Sequence, residues 1–333
     1  MSWSGVGVGR EPEDVRVVLA ALSEEAKDGL RYDAVPWERF SHWYGTGSDV
    51  PGLLETIRLG SDVDSDTALG TLWNRVCHQG TTSAVGALTV PFLIRLALAH
   101  SRHRAGLLGL VGSVARGSNF GDTSRDALLC ADGPREAGYY EPSGGPLTWT
   151  LQAGRAAAAA DADILLHLLD DPEPAVRRAA AFALAIAHPA GRIPDGLHAR
   201  LAVEDDQAVR ACLVLAIGQL AREQHAPAAA EQLRAWWRDT TRPDEVRVSA
   251  GLAWLCLVED DVPDELHELF ATLVTDELTA LLTPVPWLSN VHDEYGLPEC
   301  VQQLCHPELP SRHSLAFRAV GDAIREHIRT RAN

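Results

Sequence analysis

Along the middle of the chain the apolar positions recur at helical spacing, and the pattern itself repeats. Residues 170–187 read DDPEPAVRRAAAFALAIA, 204–220 read EDDQAVRACLVLAIGQL and 242–257 read RPDEVRVSAGLAWLCL. Each begins with turn-forming residues, passes through Val-Arg and continues as an apolar run of mostly small side chains. Val176, Val209 and Val246 align. Ala180, Leu213 and Ala250 follow four positions on, Ala183, Ala216 and Ala253 seven on, and Ala187, Leu220 and Leu257 eleven on. Those offsets trace one face of an α-helix. No segment sustains period-two alternation, so strands are not expected.

A shorter apolar segment precedes each run: ADILLHLLD, DGLHARLAV and AEQLRAWWRD. The unit is therefore a helical hairpin recurring about every 35 residues, the signature of a solenoid. The expected fold is all-α, a right-handed superhelix of stacked antiparallel hairpins. Within one solenoid over 1–333, residues 1–50 form an N-terminal cap, with helices over 16–30 and 36–44. Residues 51–116 supply two hairpins: 51–59 with 67–78 across the acidic turn GSDVDSD, then 83–99 with 103–115. Pro91 should kink the helix it interrupts or mark its start. Residues 117–146 are a long insert, 147–283 the clear repeats and 284–333 a C-terminal cap closed by an amphipathic helix over 314–331.

The repeated units resemble HEAT repeats, whose second helix opens on a Val-Arg pair after an acidic turn. Arg177, Arg210 and Arg247 occupy that position, with Asp171, Asp205 and Asp244 in the turns before them. The resemblance implies that these arginines reach turn carboxylates and form a ladder along the stack. The third unit departs from the pattern, carrying Arg242-Pro243 where the others are acidic. W-x-x-F-S-H-W-Y-G at 37–45, followed by DVP-x-LL and HQG…VPFL, is similar to a group of bacterial HEAT-repeat proteins and carries over no catalytic assignment.

Charge narrows the function. The chain has 333 residues and a formal net charge of −17, with Lys27 its one lysine. Such a charge favours cationic partners. It opposes DNA and RNA, whose binding depends on phosphate neutralisation, and anionic bilayers. The N-terminal stretch MSWSGVGVGREPEDV lacks the basic and apolar regions of a signal peptide, and no apolar run is long enough to span a membrane. A cytoplasmic location is expected, with the six cysteines as reduced thiols.

Candidate chemistry is sparse. No phosphate-binding loop, nucleophile elbow or H-E-x-x-H helix occurs. Cys77-His78-Gln79-Gly80 could suggest a thiolate or a metal ligand. Adjacent helical residues point about 100° apart, however, and Gly80 falls where a helix C-cap glycine is favoured. Local roles therefore account for the motif, with Thr82 or Ser83 capping the next helix. His292, Cys300, Cys305 and His306 would be four zinc donors, but their spacing matches no standard motif. No metal or cofactor is expected. The insert breaks a stack of tight hairpins, and long loops of that kind are often functional.

Two functions fit these features. In the first, a non-enzymatic module binds a basic protein in an acidic concave groove. It would be an inhibitor or immunity-type protein for a cationic toxin, and Arg135, Tyr139, Tyr140, Glu141 and Trp43 would make contact. In the second, an enzyme acts on a small molecule in the groove, with the insert over the site and Glu141, Tyr139, His42 and His78 as acid–base groups.

Overall fold

The computed structural model describes residues 12–78, 81–99, 102–117, 123–131, 138–289 and 296–309. Within them the chain is an all-α solenoid with two small β-ribbons. It opens with α1 (Val15–Ala21) and α2 (Glu24–Asp28). The expected single helix breaks at Leu22, which is extended, and Ser23 restarts it by accepting from the Ala26 N–H at 3.2 Å. The helix expected over 36–44 does not form. Trp37–Arg39 makes one 3₁₀ turn, and β1 (Ser41–His42) pairs antiparallel with β2 (Gly45–Thr46). The stretch 314–331 lies outside the described residues.

Hairpins follow. The first pairs α3 (Val50–Leu59) with α4 (Asp62–Val76), and the second α5 (Ala84–Ala99) with α6 (Arg104–Val114). The acidic stretch at 61–66 is the first turn of α4 and not a loop. Ser61 accepts from the Asp64 N–H at 3.3 Å, and Asp62 and Asp64 suit the positive end of the helix dipole. α5 continues through Pro91 as one buried helix.

After α7 (Leu147–Ala160) come α8 (Ala162–His167) with α9 (Pro174–Ala185), α10 (Ile193–Leu201) with α11 (Gln207–Glu223), and α12 (Pro227–Arg238) with α13 (Asp244–Leu255). The second helices α6, α9, α11 and α13 pack in that order. Small residues set their spacing. A Cβ at Gly218 would stand 2.7 Å from the Ala253 Cβ, and one at Gly112 would enter the Phe182 ring.

A ladder runs between units. The Arg104 guanidinium of α6 pairs with Asp171 in the next turn. Arg177 grips Glu204 two-handed, Nε to Oε2 at 2.8 Å and Nη2 to Oε1 at 2.7 Å, while its Nη1 donates to the Asp171 carbonyl at 2.8 Å. Arg210 repeats this with Glu245 at 2.7 Å and the Asp205 carbonyl at 3.0 Å. Arg177 and Arg210 thus each join their own turn to the next unit's carboxylate. The rungs are Asp171, Glu204 and Glu245; Asp205 and Asp244 stand in solvent. Arg247 ends the ladder, donating to the Trp237 carbonyl at 3.3 Å with Asp244 3.9 Å away.

The chain then crosses its own inner face. After α14 (Asp264–Leu273) come α15 (Asp276–Leu282), α16 (Pro286–Ser289) and α17 (Gly296–Cys305), which pack on α11, α9 and α13 respectively. Trp287 stands edge-on to Phe182 at 5.0 Å and is 1% exposed. Residues 123–131 of the insert wedge into the same seam. Leu128 and Leu129 are fully buried, and the Thr123 N–H donates to Gln303 Oε1 at 3.0 Å. α9, α11 and α13 are consequently buried on nearly every side, as helices apolar all round must be. The open groove expected from sequence is, over these helices, filled by the protein itself.

Two outcomes follow from the ladder. Arg210→Ala strands Glu245, 2% exposed, as a buried carboxylate, which destabilises by about 3 kcal/mol. Arg247→Ala, at the loose end, loses under ~1 kcal/mol. Equal urea midpoints for the two variants would contradict the ladder. The second outcome concerns acid. Burial alone would raise the Glu204 carboxyl, but bonds from Arg177, Arg200 and the Asp206 N–H override it and hold it at about 2, below its ordinary 4.5. A depressed folded value means the stabilisation is full above pH 4.5 and is lost as pH falls toward 2. Glu204→Gln should flatten the stability–pH slope in that window; an unchanged slope would assign the acid limb elsewhere.

Candidate functional site

The links leaving second helices gather on one edge of the stack, and the unusual side chains gather there too. The β1–β2 turn places Trp43 and Tyr44 at its tip, both exposed. α4 ends at Val76, two residues earlier than expected, because Cys77–His78 (β3) pairs as a strand with Thr81–Thr82 (β4). Gln79 and Gly80, the proposed cap, lie outside the described residues. The two ribbons meet through their side chains. The Tyr44 hydroxyl lies 3.0 Å from His78 Nδ1, the Trp43 ring centroid is 5.6 Å from that of His78, and Arg75 covers the Tyr44 ring at 5.1 Å. Beneath them His42 Nε2 lies 2.9 Å from Asp49 Oδ1, and Arg75 Nε lies 3.3 Å from Asp49 Oδ2.

His42, Trp43 and His78 therefore converge. His42 is occupied at both ring nitrogens, since the Tyr44 N–H donates to its Nδ1 at 3.1 Å. That fixes the proton on Nε2, facing Asp49. This ring holds the ribbon rather than offering a base. Burial pushes the Cys77 thiol up to about 12, which removes the thiolate reading at neutral pH. His78 keeps one ring nitrogen outside its bond to Tyr44.

Glu141 has a different place from the one expected. It is buried, and its Oε2 accepts from the Ala84 N–H at 3.1 Å while its Oε1 accepts from the Gly145 N–H at 3.1 Å. Ala84 is the first residue of α5, so a carboxylate from the far end of the insert caps this helix. The expected caps stand aside: the Thr82 and Ser83 hydroxyls are buried without a hydrogen bond. Burial raises the Glu141 carboxyl, and the N–H bonds oppose that rise. Ser143 ties the same turn to the ribbon, accepting from the Ser41 N–H at 2.8 Å.

Tyr139 and Tyr140, 65% and 69% exposed, precede this clamp directly. They stand four and three residues before Ser143, the tie to the ribbon, a reach of at most about 10–14 Å. Arg135 lies outside the described residues. So does His292, one of the four donors weighed for zinc and set aside. Cys300 and Cys305 are buried on α17, and His306 stacks on His267 at 5.6 Å. Among the described residues no group of three His, Cys, Asp or Glu is placed to hold a metal ion, and no helix is long and apolar enough to cross a membrane.

A cleft of about 1460 Å³ opens farther along this edge, between insert residues 124–131 and the ends of α9, α11 and α13. Charged groups line it in pairs: Arg155 with Glu223, and Arg222 with Asp126 at 3.4 Å.

Sequence reasoning missed Tyr44, Asp49 and Arg75. Tyr44 lay within the quoted FSHWYG motif, and its Gly45 was the available sign of a turn. Asp49 and Arg75 carry no local signal, because their pairing depends on how the first hairpin folds back.

These hairpins, joined by forward-reaching arginines, define the class: an all-α solenoid. Residues 163–186, spanning α8, its turn and α9, match the family model of the HEAT repeat, so the chain carries a HEAT repeat there. No curated protein and no solved structure matches the chain.

The Glu141 clamp gives a direct test. Glu141→Ala uncaps α5 and should lower unfolding stability by about 1–2 kcal/mol. An unchanged denaturation midpoint would show that Ser83 takes over the cap.

Proposed function

We propose that the chain is a protein-interaction module and that the aromatic corner at Trp43, Tyr44, Tyr139 and Tyr140 is its docking surface. One observation carries the reading. All five exposed tryptophans and tyrosines among the described residues are Trp43, Tyr44, Trp73, Tyr139 and Tyr140, at 38% to 69% exposure. Apart from Trp73, on the last turns of α4, they stand on the β1–β2 turn and directly before the turn that Ser143 ties to it. Exposed aromatics grouped beside an arginine are the usual composition of binding hot spots. HEAT repeats commonly mediate protein association, which supports the same class. The net charge of −17 favours a basic partner over nucleic acid. In its specific form the module would be an inhibitor masking the cationic surface of a toxin.

The small-molecule enzyme has less support. Two of the four groups assigned to it are engaged, His42 at both nitrogens and Glu141 by backbone N–H groups.

Replacing the whole insert would remove Leu128, Leu129 and the Glu141 cap together, so point variants are the cleaner test. Trp43→Ser with Tyr140→Ser should reduce retention of the partner from cell extract at least about tenfold, with the melting temperature unchanged. Equal retention by the wild type and the variant would overturn the proposal. Raising salt should slow association more than it speeds dissociation.

A further inference from the structure

We infer that α15–α17 form a displaceable strap over the inner face of α9, α11 and α13, and that the buried Arg116 cation keeps its closure weak. The observation is a buried charge that makes no ion pair. Arg116 is 6% exposed and has no carboxylate within salt-bridge distance among the described residues. Its Nη1 donates to Gln219 Oε1 at 2.6 Å, and its Nη2 donates to the Leu128 carbonyl. The Phe182 and Trp287 rings complete its surroundings, each centroid 5.8 Å from the guanidinium carbon. All of these partners are neutral.

The strap's anchor closes over this centre. Trp287 Nε1 donates at 2.8 Å to the same Gln219 Oε1 that Arg116 uses. Gln219 is itself fully buried on α11 and donates from Nε2 to the Ala185 carbonyl at 2.7 Å. Closing Trp287 onto Phe182 buries apolar surface, which favours the closed state. It also removes water from a guanidinium whose bonded partners are dipoles and ring faces, with Glu223 attracting it and Arg155 repelling it from beyond ion-pair distance. An unpaired buried charge is the least favourable content a seam can have. Burial accordingly pulls the Arg116 guanidinium down to about 10.

Elsewhere among the described residues buried arginines are answered by carboxylates: Arg177 by Glu204, Arg155 by Glu223, Arg95 by Asp161. The one exception lies under the segment that fills the face a solenoid ordinarily offers to partners. The occupant that would replace the strap is therefore a partner segment with an aromatic side chain next to a carboxylate. The ring would take the place of Trp287 on Phe182, and the carboxylate would supply the charge that the strap lacks.

Amide hydrogen exchange on the full chain tests this without a ligand. α15–α17 should exchange at least about tenfold faster than α9 and α11, as a sub-global opening. Arg116→Gln keeps a donor toward Gln219 but removes the charge. It should slow exchange in α15–α17 severalfold while α3 and α4 stay unchanged. Trp287→Ala, which removes the anchor, should speed exchange in α15–α17 and leave α3 and α4 as they are. Uniform exchange of strap and stack would overturn the inference. So would exchange in Arg116→Gln that is unchanged or faster, because the cation would then hold the strap or be indifferent to it. If Arg116→Gln does not fold, the Trp287→Ala profile decides alone: opening confined to α15–α17 supports the strap, and loosening of the whole stack ends it.

Discussion

The stack depends on one repeated bond, the arginine at the start of a second helix reaching the carboxylate of the next turn. A helical hairpin cannot bury its apolar face alone, so each unit needs a neighbour. Apolar packing supplies attraction but little registry, since small residues can slide along one another. The Arg177–Glu204 pair supplies the registry. Two parallel bonds fix both distance and angle, and the third, to the Asp171 carbonyl, ties the arginine to its own turn. With Glu204 buried, a slip of one residue would leave a carboxylate unpaired in the interior. The ladder is thus worth more as a constraint on alternatives than as net stability.

That registry allows the inner face to be filled. With α9, α11 and α13 held in order, Gly218 and Gly112 can admit neighbouring groups at close range, and Phe182 meets Trp287 at a fixed place. The insert and the C-terminal helices then close on the same seam, through Thr123 and Gln303. A long excursion and a distant terminus therefore form one body. With the inner face occupied, the edge that carries the ribbons is left as the exposed aromatic surface.

Repeat-level features were legible in the sequence because they are local. Val176, Val209 and Val246 mark a period, and their companions mark a face. The match at 163–186 falls on one of those units. What was not legible depended on contacts between remote residues. Glu141 looked like an exposed site residue because it stands among Tyr, Pro and Gly, yet it caps a helix 57 residues away in sequence. Of the expected turn carboxylates, Asp171 is a rung, while Glu204 and Glu245 stand in for their neighbours Asp205 and Asp244, which face solvent. At the corner, His42 and His78 were singled out for their chemistry. The structure gives His42 a holding role and surrounds His78 with aromatic rings.

The distribution of charge completes the picture. Asp171, Glu204 and Glu245 are each answered by an arginine, so they add little to the field outside the protein. The external field comes from exposed acids such as Glu173, Asp205 and Asp244 on the turns before second helices, and Glu259, Asp260 and Asp261 on the link leaving α13. The aromatic corner lies beside the first hairpins, where Asp49 is offset by Arg75. At physiological salt the field decays over about 8 Å. These acids can therefore attract a basic partner from a distance while contributing little to the contacts that retain it at the corner. Attraction and retention would then be carried by different residues, so changes in one need not alter the other.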